Sequence, residues 1–202
     1  MRIGLLGPAE GEPAQLREAS EFLLGTAGVD QAIYLGAQDT LRAMVDAWAC
    51  EVMQGPASWD HFLDRAAALA LGAGSHELDA LLAQQRKLER LGALRSLPPP
   101  PARAVELFDD KVVLFVHDKA QLDPEDIENA LLIVYGRGKQ SAMHRFGPRA
   151  FFTPGPVAKG CVAVLEPAPD GQLAIAQFDP RTSEPRGREL LSSRKPRVVV
   201  AP

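Results

Sequence analysis

Leu131-Leu132-Ile133-Val134-Tyr135 is an unbroken apolar run that passes directly into Gly136-Arg137-Gly138-Lys139. Five consecutive apolar residues suit a strand covered on both faces, whereas a sheet with one wet face would show alternation. The two glycines let the backbone turn sharply where the strand ends, and open α/β sheets place their sites at such ends. The segment is therefore predicted to be a central strand that delivers two cations, Arg137 and Lys139, to a turn.

The chain before it supplies the rest of such a sheet. Arg2 to Leu6 reads as a first strand, Gly7 to Gly11 as its turn, and residues 13–25 as a helix with Leu16, Ala19, Phe22 and Leu23 on one side. Gln31 to Leu35 forms a second strand ended by Gly36-Ala37-Gln38-Asp39, with Asp39 placed to cap a helix through Leu41, Met44, Val45 and Trp48. Strand, helix, strand, helix implies right-handed crossovers and a largely parallel sheet. A short strand is expected at Ala49 to Met53, closing at Gly55-Pro56. Residues 58–71 and 75–95 have helical periodicity in Leu78, Leu81, Leu82, Leu88 and Leu91, which predicts a helical hairpin joined by Gly72-Ala73-Gly74. The prolines at 98–101 make a stiff connector.

Beyond the connector, Lys111 to Val116 is predicted as a strand ending in His117. Asp123 to Asn129 is read as a short acidic helix or turn, its acids favoured by the helix N-terminal dipole. Further strands are expected at Ala150 to Thr153, Cys161 to Leu165 and Leu173 to Phe178, the last two joined across Asp170-Gly171 as a hairpin. The final twenty residues are expected to be mostly irregular, with a β-capable Val198-Val199-Val200.

A chain of 202 residues, 46% hydrophobic and 24% charged, buries a core of its own. Its net charge of −4 argues against general nucleic-acid binding, which rests on a basic face. Residues 181–202 nevertheless form a basic tail of net +4, which leaves −8 on residues 1–180. Cys50 and Cys161 supply neither a disulfide framework nor a metal motif, which predicts a reducing, cytoplasmic setting. No apolar run approaches the roughly 18 residues of a membrane span, and the N-terminal run is too short for a signal peptide. Nucleophile-elbow, phosphate-loop and His-Glu-x-x-His signatures are absent.

Taken in order, the strand ends resemble those of the calcineurin-like metallophosphoesterases, especially their small bacterial and archaeal phosphodiesterases, over residues 1–180. The resemblance implies a metallophosphoesterase-like four-layer α/β/β/α sandwich, with residues 58–97 as a helical insertion. In that family the successive loops read Asp-x-His, Gly-Asp, Gly-Asn-x-Asp, His-Gly, Gly-His-x-His and Asn-Pro-Gly-Ser, and they hold two metal ions that clamp a phosphate and activate water. Here Pro8 and Glu10 stand at the first pair, Ala37 at the bridging aspartate and Pro56 at the asparagine. His117, followed by Asp118, is the one retained ligand. Arg137 and Lys139 replace the two histidines after Gly136, and Thr153-Pro154-Gly155-Pro156 keeps the Pro-Gly core of the last loop.

The resemblance thus implies a degenerate member with no catalytic residues and no cofactor. Arg137 and Lys139 are expected to stand in for metal charge, pairing with Glu10 or Asp118. With Gly136, Gly138 and His117 they also form a candidate site for a small anion such as phosphate or a nucleotide; a merely solvated turn is the alternative. His61 and His76 are read as structural or exposed. Two functions compete. One is a scaffold for a protein partner, as in a retromer subunit that uses this fold as a binding platform, with Leu78, Leu81 and Leu82 either covering the sheet or facing a partner. The tail valines would then add to a sheet edge, of their own chain or of a neighbour. The other is a phosphoesterase with a depleted or relocated site, in which His117, His144 and nearby acids weakly hold manganese or another divalent metal.

Overall fold

Two mixed sheets stack face to face, one assembled from both ends of the chain and the other from its middle. The computed structural model describes residues 1–72 and 75–191. Strands β1 (Ile3–Leu6) and β2 (Gln31–Tyr34) pair in parallel, Ile3 opposite Gln31 and Leu6 opposite Tyr34. Helix α1 (Pro13–Leu24) makes the crossover between them. Pro13 sits in its first turn, where a missing N–H is harmless, and Leu16, Ala19, Phe22 and Leu23 are buried on one side.

Helix α2 runs from Thr40 to Met53, so the short strand expected at Ala49 to Met53 does not form. Its residues continue the helical spacing of Leu41 and Met44, and Met53 closes that row fully buried. Asp39 occupies the cap position but makes no side-chain capping bond. The predicted hairpin is present as α3 (Trp59–Gly72) and α4 (Ser75–Leu91). Ala73 and Gly74 of its predicted joint lie outside the described residues. Leu81 and Leu91 are buried, Leu78 and Leu88 half-buried, and Leu82 exposed.

The third parallel strand comes after the hairpin, as β3 (Leu94–Ser96) beside β2. The expected 58–97 insertion therefore ends with a strand of the main sheet. The proline run that follows is the turn leaving β3. Its exit leads to β4 (Ala104–Phe108), not anticipated from the sequence, which pairs antiparallel with β5 (Lys111–Val116) across Asp109-Asp110. Asp118 caps a 3-10 turn at Lys119–Gln121, and α5 (Pro124–Asn129) carries a reciprocal capping box between Asp123 and Asp126.

Strand β6 (Leu132–Tyr135) is parallel to β5 and to β8 (Arg149–Thr153), and all four of its residues are buried. Residues around His144 form β7 (Ala142–Phe146), an edge strand not anticipated from the sequence and paired with β8. Then β9 (Val162–Pro167) and β10 (Leu173–Phe178) form the predicted hairpin. A last strand, β11 (Pro185–Leu191), pairs with β10, so the mostly irregular form expected of the final twenty residues is corrected over this span. Its outward positions are nearly all exposed, as on an edge, and Leu191 plugs the core. Val198 to Val200, with Arg194, Lys195 and Arg197, lie outside the described residues.

The strand orders are β11-β10-β9-β1-β2-β3 and β4-β5-β6-β8-β7. Between the sheets lies a core of Ile3, Leu5, Ile33, Phe115, Val134, Phe152, Leu165 and Ile175. Helices α1, α2 and α4 cover the outer face of the first sheet, while α5 covers Leu114, Val116, Ile133 and Tyr135 on the second. Four layers result, helices, sheet, sheet, helix. Arg145 on β7 ties the sheets at one side by donating to the Glu189 carboxylate at 2.9 Å and to the Leu190 carbonyl at 3.0 Å. No helix among the described residues is long and apolar enough to cross a membrane.

Candidate functional site

Because β1, β2 and β3 run parallel, and β5, β6 and β8 do likewise, their carboxyl ends gather at one end of the sandwich. Backbone meets backbone there. A Cβ on Gly7 would overlap the Gly155 carbonyl oxygen, and one on Gly136 would overlap the Leu35 carbonyl oxygen. Gly155 adopts φ +71°, and its N–H donates to Thr153 Oγ1 at 3.1 Å. These contacts interlock loops of opposite sheets and surround an open cleft of about 860 Å³.

Six of the seven residues singled out from the resemblance line this cleft: Pro8, Glu10, Ala37, His117, Arg137 and Lys139. Pro56 does not. It lies exposed between α2 and α3, because residues 49–53 are helical and the true third strand end is that of β3. The corresponding turn is Leu97 to Pro101, and Pro100 reaches the cleft wall. That substitution of positions was masked by the absence of glycine after Ser96, the usual marker of a strand end.

His117 is buried at the end of β5. Its Nδ1 lies 3.1 Å from the Leu35 carbonyl oxygen and its Nε2 2.9 Å from that of Pro98. Carbonyl oxygens only accept, so a neutral imidazole, with one N–H, satisfies one of them and an imidazolium satisfies both. Either way both ring nitrogens are turned to the backbone of the β2 and β3 ends. A metal ligand needs one nitrogen lone pair directed at the ion. His144 stands exposed on β7, three strands away from β5, so the two histidines do not meet. His61 is half-buried on α3 and His76 exposed on α4.

Asp118, next in the chain, accepts from Ala120 N–H at 3.0 Å and from Arg137 Nη1 at 2.9 Å. The Ala120 hydrogen bond and then the Arg137 guanidinium hold its carboxyl below the usual carboxylate range. Of the two expected partners for Arg137, Asp118 is the one engaged. The pair sits at the rim, since the Arg137 side chain is 82% exposed while that of Asp118 is 20% exposed. Glu10, at φ +49°, and Lys139 are both exposed, and neither forms an ion pair among the described residues.

Sequence reasoning missed Lys119. Its Nζ lies 5.5 Å from the centroid of the Tyr135 ring, so a third cation shares the cleft. Gly136 N–H donates to the Val116 and His117 carbonyls, and Arg137 N–H to His117 at 2.9 Å. Those two amides are committed to the fold, so the expected anion contribution from Gly136 is corrected. The cleft offers three cationic side chains against two carboxylates, one of them already paired.

Two divalent ions need several carboxylate and imidazole ligands, and this donor set does not fit them. Among the described residues no three His, Cys, Asp or Glu side chains come together in a group able to hold a metal ion. Nor does Cys161 offer a nucleophile: it is buried, and burial pushes its thiol above the usual range.

No family model matches the sequence, and no curated protein matches it. Solved structures do. The chain is similar to a conserved uncharacterized protein of Streptococcus pneumoniae described as a predicted phosphoesterase, at 13% identity over 94% of this chain and 95% of that one, with a TM-score of 0.52. It is also similar to vacuolar protein sorting 29 of Cryptosporidium parvum, at 12% identity over 95% and 97% of the two chains, with a TM-score of 0.50. At these identities the likeness is one of fold, and the fold is that of the calcineurin-like metallophosphoesterases.

Proposed function

We propose that this chain, which has the metallophosphoesterase fold, is a catalytically inactive member of that group serving as a protein-interaction or regulatory scaffold, with a small anion held in its strand-end cleft. The observation that supports inactivity is the environment of His117, whose two nitrogens face the Leu35 and Pro98 carbonyls. An imidazole used to tie strand ends together is withdrawn from metal chemistry, and Pro8, Ala37, Arg137 and Lys139 offer no replacement ligands.

Lys119, Arg137 and Lys139 favour an anion such as phosphate or a nucleotide phosphate at the rim. The partner role draws on the same loss of donors, together with the enlarged helical face at α3 and α4. The reading includes a cytoplasmic location, supported by two free cysteines, Cys50 and Cys161.

Metal analysis of the purified protein, followed by a phosphodiester assay with added manganese, tests inactivity. The expected outcome is no stoichiometric metal and no turnover. Manganese-dependent hydrolysis abolished by His117→Ala would overturn it. Calorimetric titration with inorganic phosphate tests the anion, with heat expected for the native chain and lost in Lys139→Glu.

A further inference from the structure

Helix α3 has fourteen residues and buries none of them. Yet it is apolar: Trp59 is 63% exposed, Leu63 46% and Leu71 91%. With Ala67, also exposed, these residues recur every four positions and form one row along the helix. The other side is anchored, for Arg65 donates to the Met53 carbonyl at 2.6 Å and His61 packs on Gly55. Trp59 stacks on Phe62, with centroids 5.1 Å apart and planes at 22°, so the indole is fixed with its second face open. A continuous apolar row of this kind on a monomer marks a contact surface.

We infer that a second copy of this chain covers it, the two α3 helices packing antiparallel across a two-fold axis that passes between Leu63 and Ala67. Charge selects the direction. Asp60 and Asp64 flank the row in its first half, and no acid follows in α3. Parallel pairing would set four carboxylates side by side, whereas antiparallel pairing places each pair beside the alanine-rich end of the other helix. Side-chain size agrees, because Leu63 of one copy then meets the small Ala67 of the other, which lets the helices approach closely. The row and its flanking alanines would bury roughly 500 Å² per copy, about 1,000 Å² in all, which reaches the threshold of a specific interface.

Multi-angle light scattering on the full chain between ~1 and ~100 µM tests this. The native chain is expected to become dimeric over that range. Leu63→Glu and Leu71→Glu, both at exposed positions and checked for folding by circular dichroism, should weaken association ~100-fold or more. Leu63→Cys and Ala67→Cys chains, each in a Cys50→Ser background, should cross-link to one another when mixed and oxidised, since those two positions face each other across the axis. A chain monomeric at ~100 µM would overturn the inference and leave this face to a helix of another protein. So would a dimer that both glutamate variants leave intact, or failure of the mixed Leu63→Cys and Ala67→Cys chains to cross-link to one another.

Discussion

Replacing His117 with alanine separates a structural imidazole from a metal ligand. The native ring is buried and lies at 3.1 and 2.9 Å from two carbonyl oxygens. Each hydrogen bond of this kind contributes about 1 kcal/mol, and a stranded buried carbonyl costs about as much again. Loss of one or two such bonds, with a small void, gives an expected destabilisation of about 2–3 kcal/mol. For a chain of this size that is a fall of about 5–10 °C in melting temperature. Urea titration followed by circular dichroism, with and without manganese, measures it. A ligand role makes a different prediction: manganese at 100 times its Kd would stabilise the native chain by about 2.7 kcal/mol and leave the variant unaffected. A loss below about 1 kcal/mol, or one seen only when manganese is present, would refute the structural reading. His144→Ala, on an exposed edge strand, serves as the control and should change nothing.

Asp118→Asn should cost about 1 kcal/mol at neutral pH through the weakened 3-10 cap and the lost Arg137 pair. Because the folded carboxyl titrates below its unfolded value, that stability is present above about pH 4 and lost as pH falls through the lower folded value. The melts of variant and native chain should therefore converge in acid, and a constant gap would contradict the assigned cause. Gly7→Ala forces a Cβ into the Gly155 carbonyl oxygen and should lower stability by about 2 kcal/mol or more in a urea melt. Truncation after Pro180 removes β11, strips β10 of a partner and uncaps the core at Leu191. An unchanged thermal melt after that truncation would mean that β11 is a mere appendage.

Where burial and local pattern agree, the sequence was readable. Leu132 to Tyr135 is apolar and buried throughout, and the Asp170-Gly171 turn sits where a hairpin demands it. The errors fall where pattern and burial part. Residues 49–53 contain enough apolar groups for a strand, but they extend the buried row of α2, whereas the real third strand is three residues long with two exposed. In β4, alternation is present, but Val105 and Leu107 face solvent. In β7 and β11, edge positions leave polar residues free to face out, so neither reads as a strand. The site was legible in outline, since six of its positions follow strands that could be seen. Its third corner was not, because Pro98 contributes a backbone carbonyl, which no side-chain motif reveals.

The strand order also dictates how the molecule can be made. The β4-β5-β6-β8-β7 sheet draws all its strands from residues 104–153 and can assemble from contiguous chain. The other sheet joins β1 to β9, with Ile3 opposite Leu165. Loops of that span close slowly, because the entropy of bringing the ends together is lost before any pairing rewards it. During synthesis β1 has β2 on one edge and nothing on the other until the chain has passed residue 165. The first hundred residues therefore emerge as a half-sheet with an apolar, unpaired edge, a target for misassociation that β9 alone relieves.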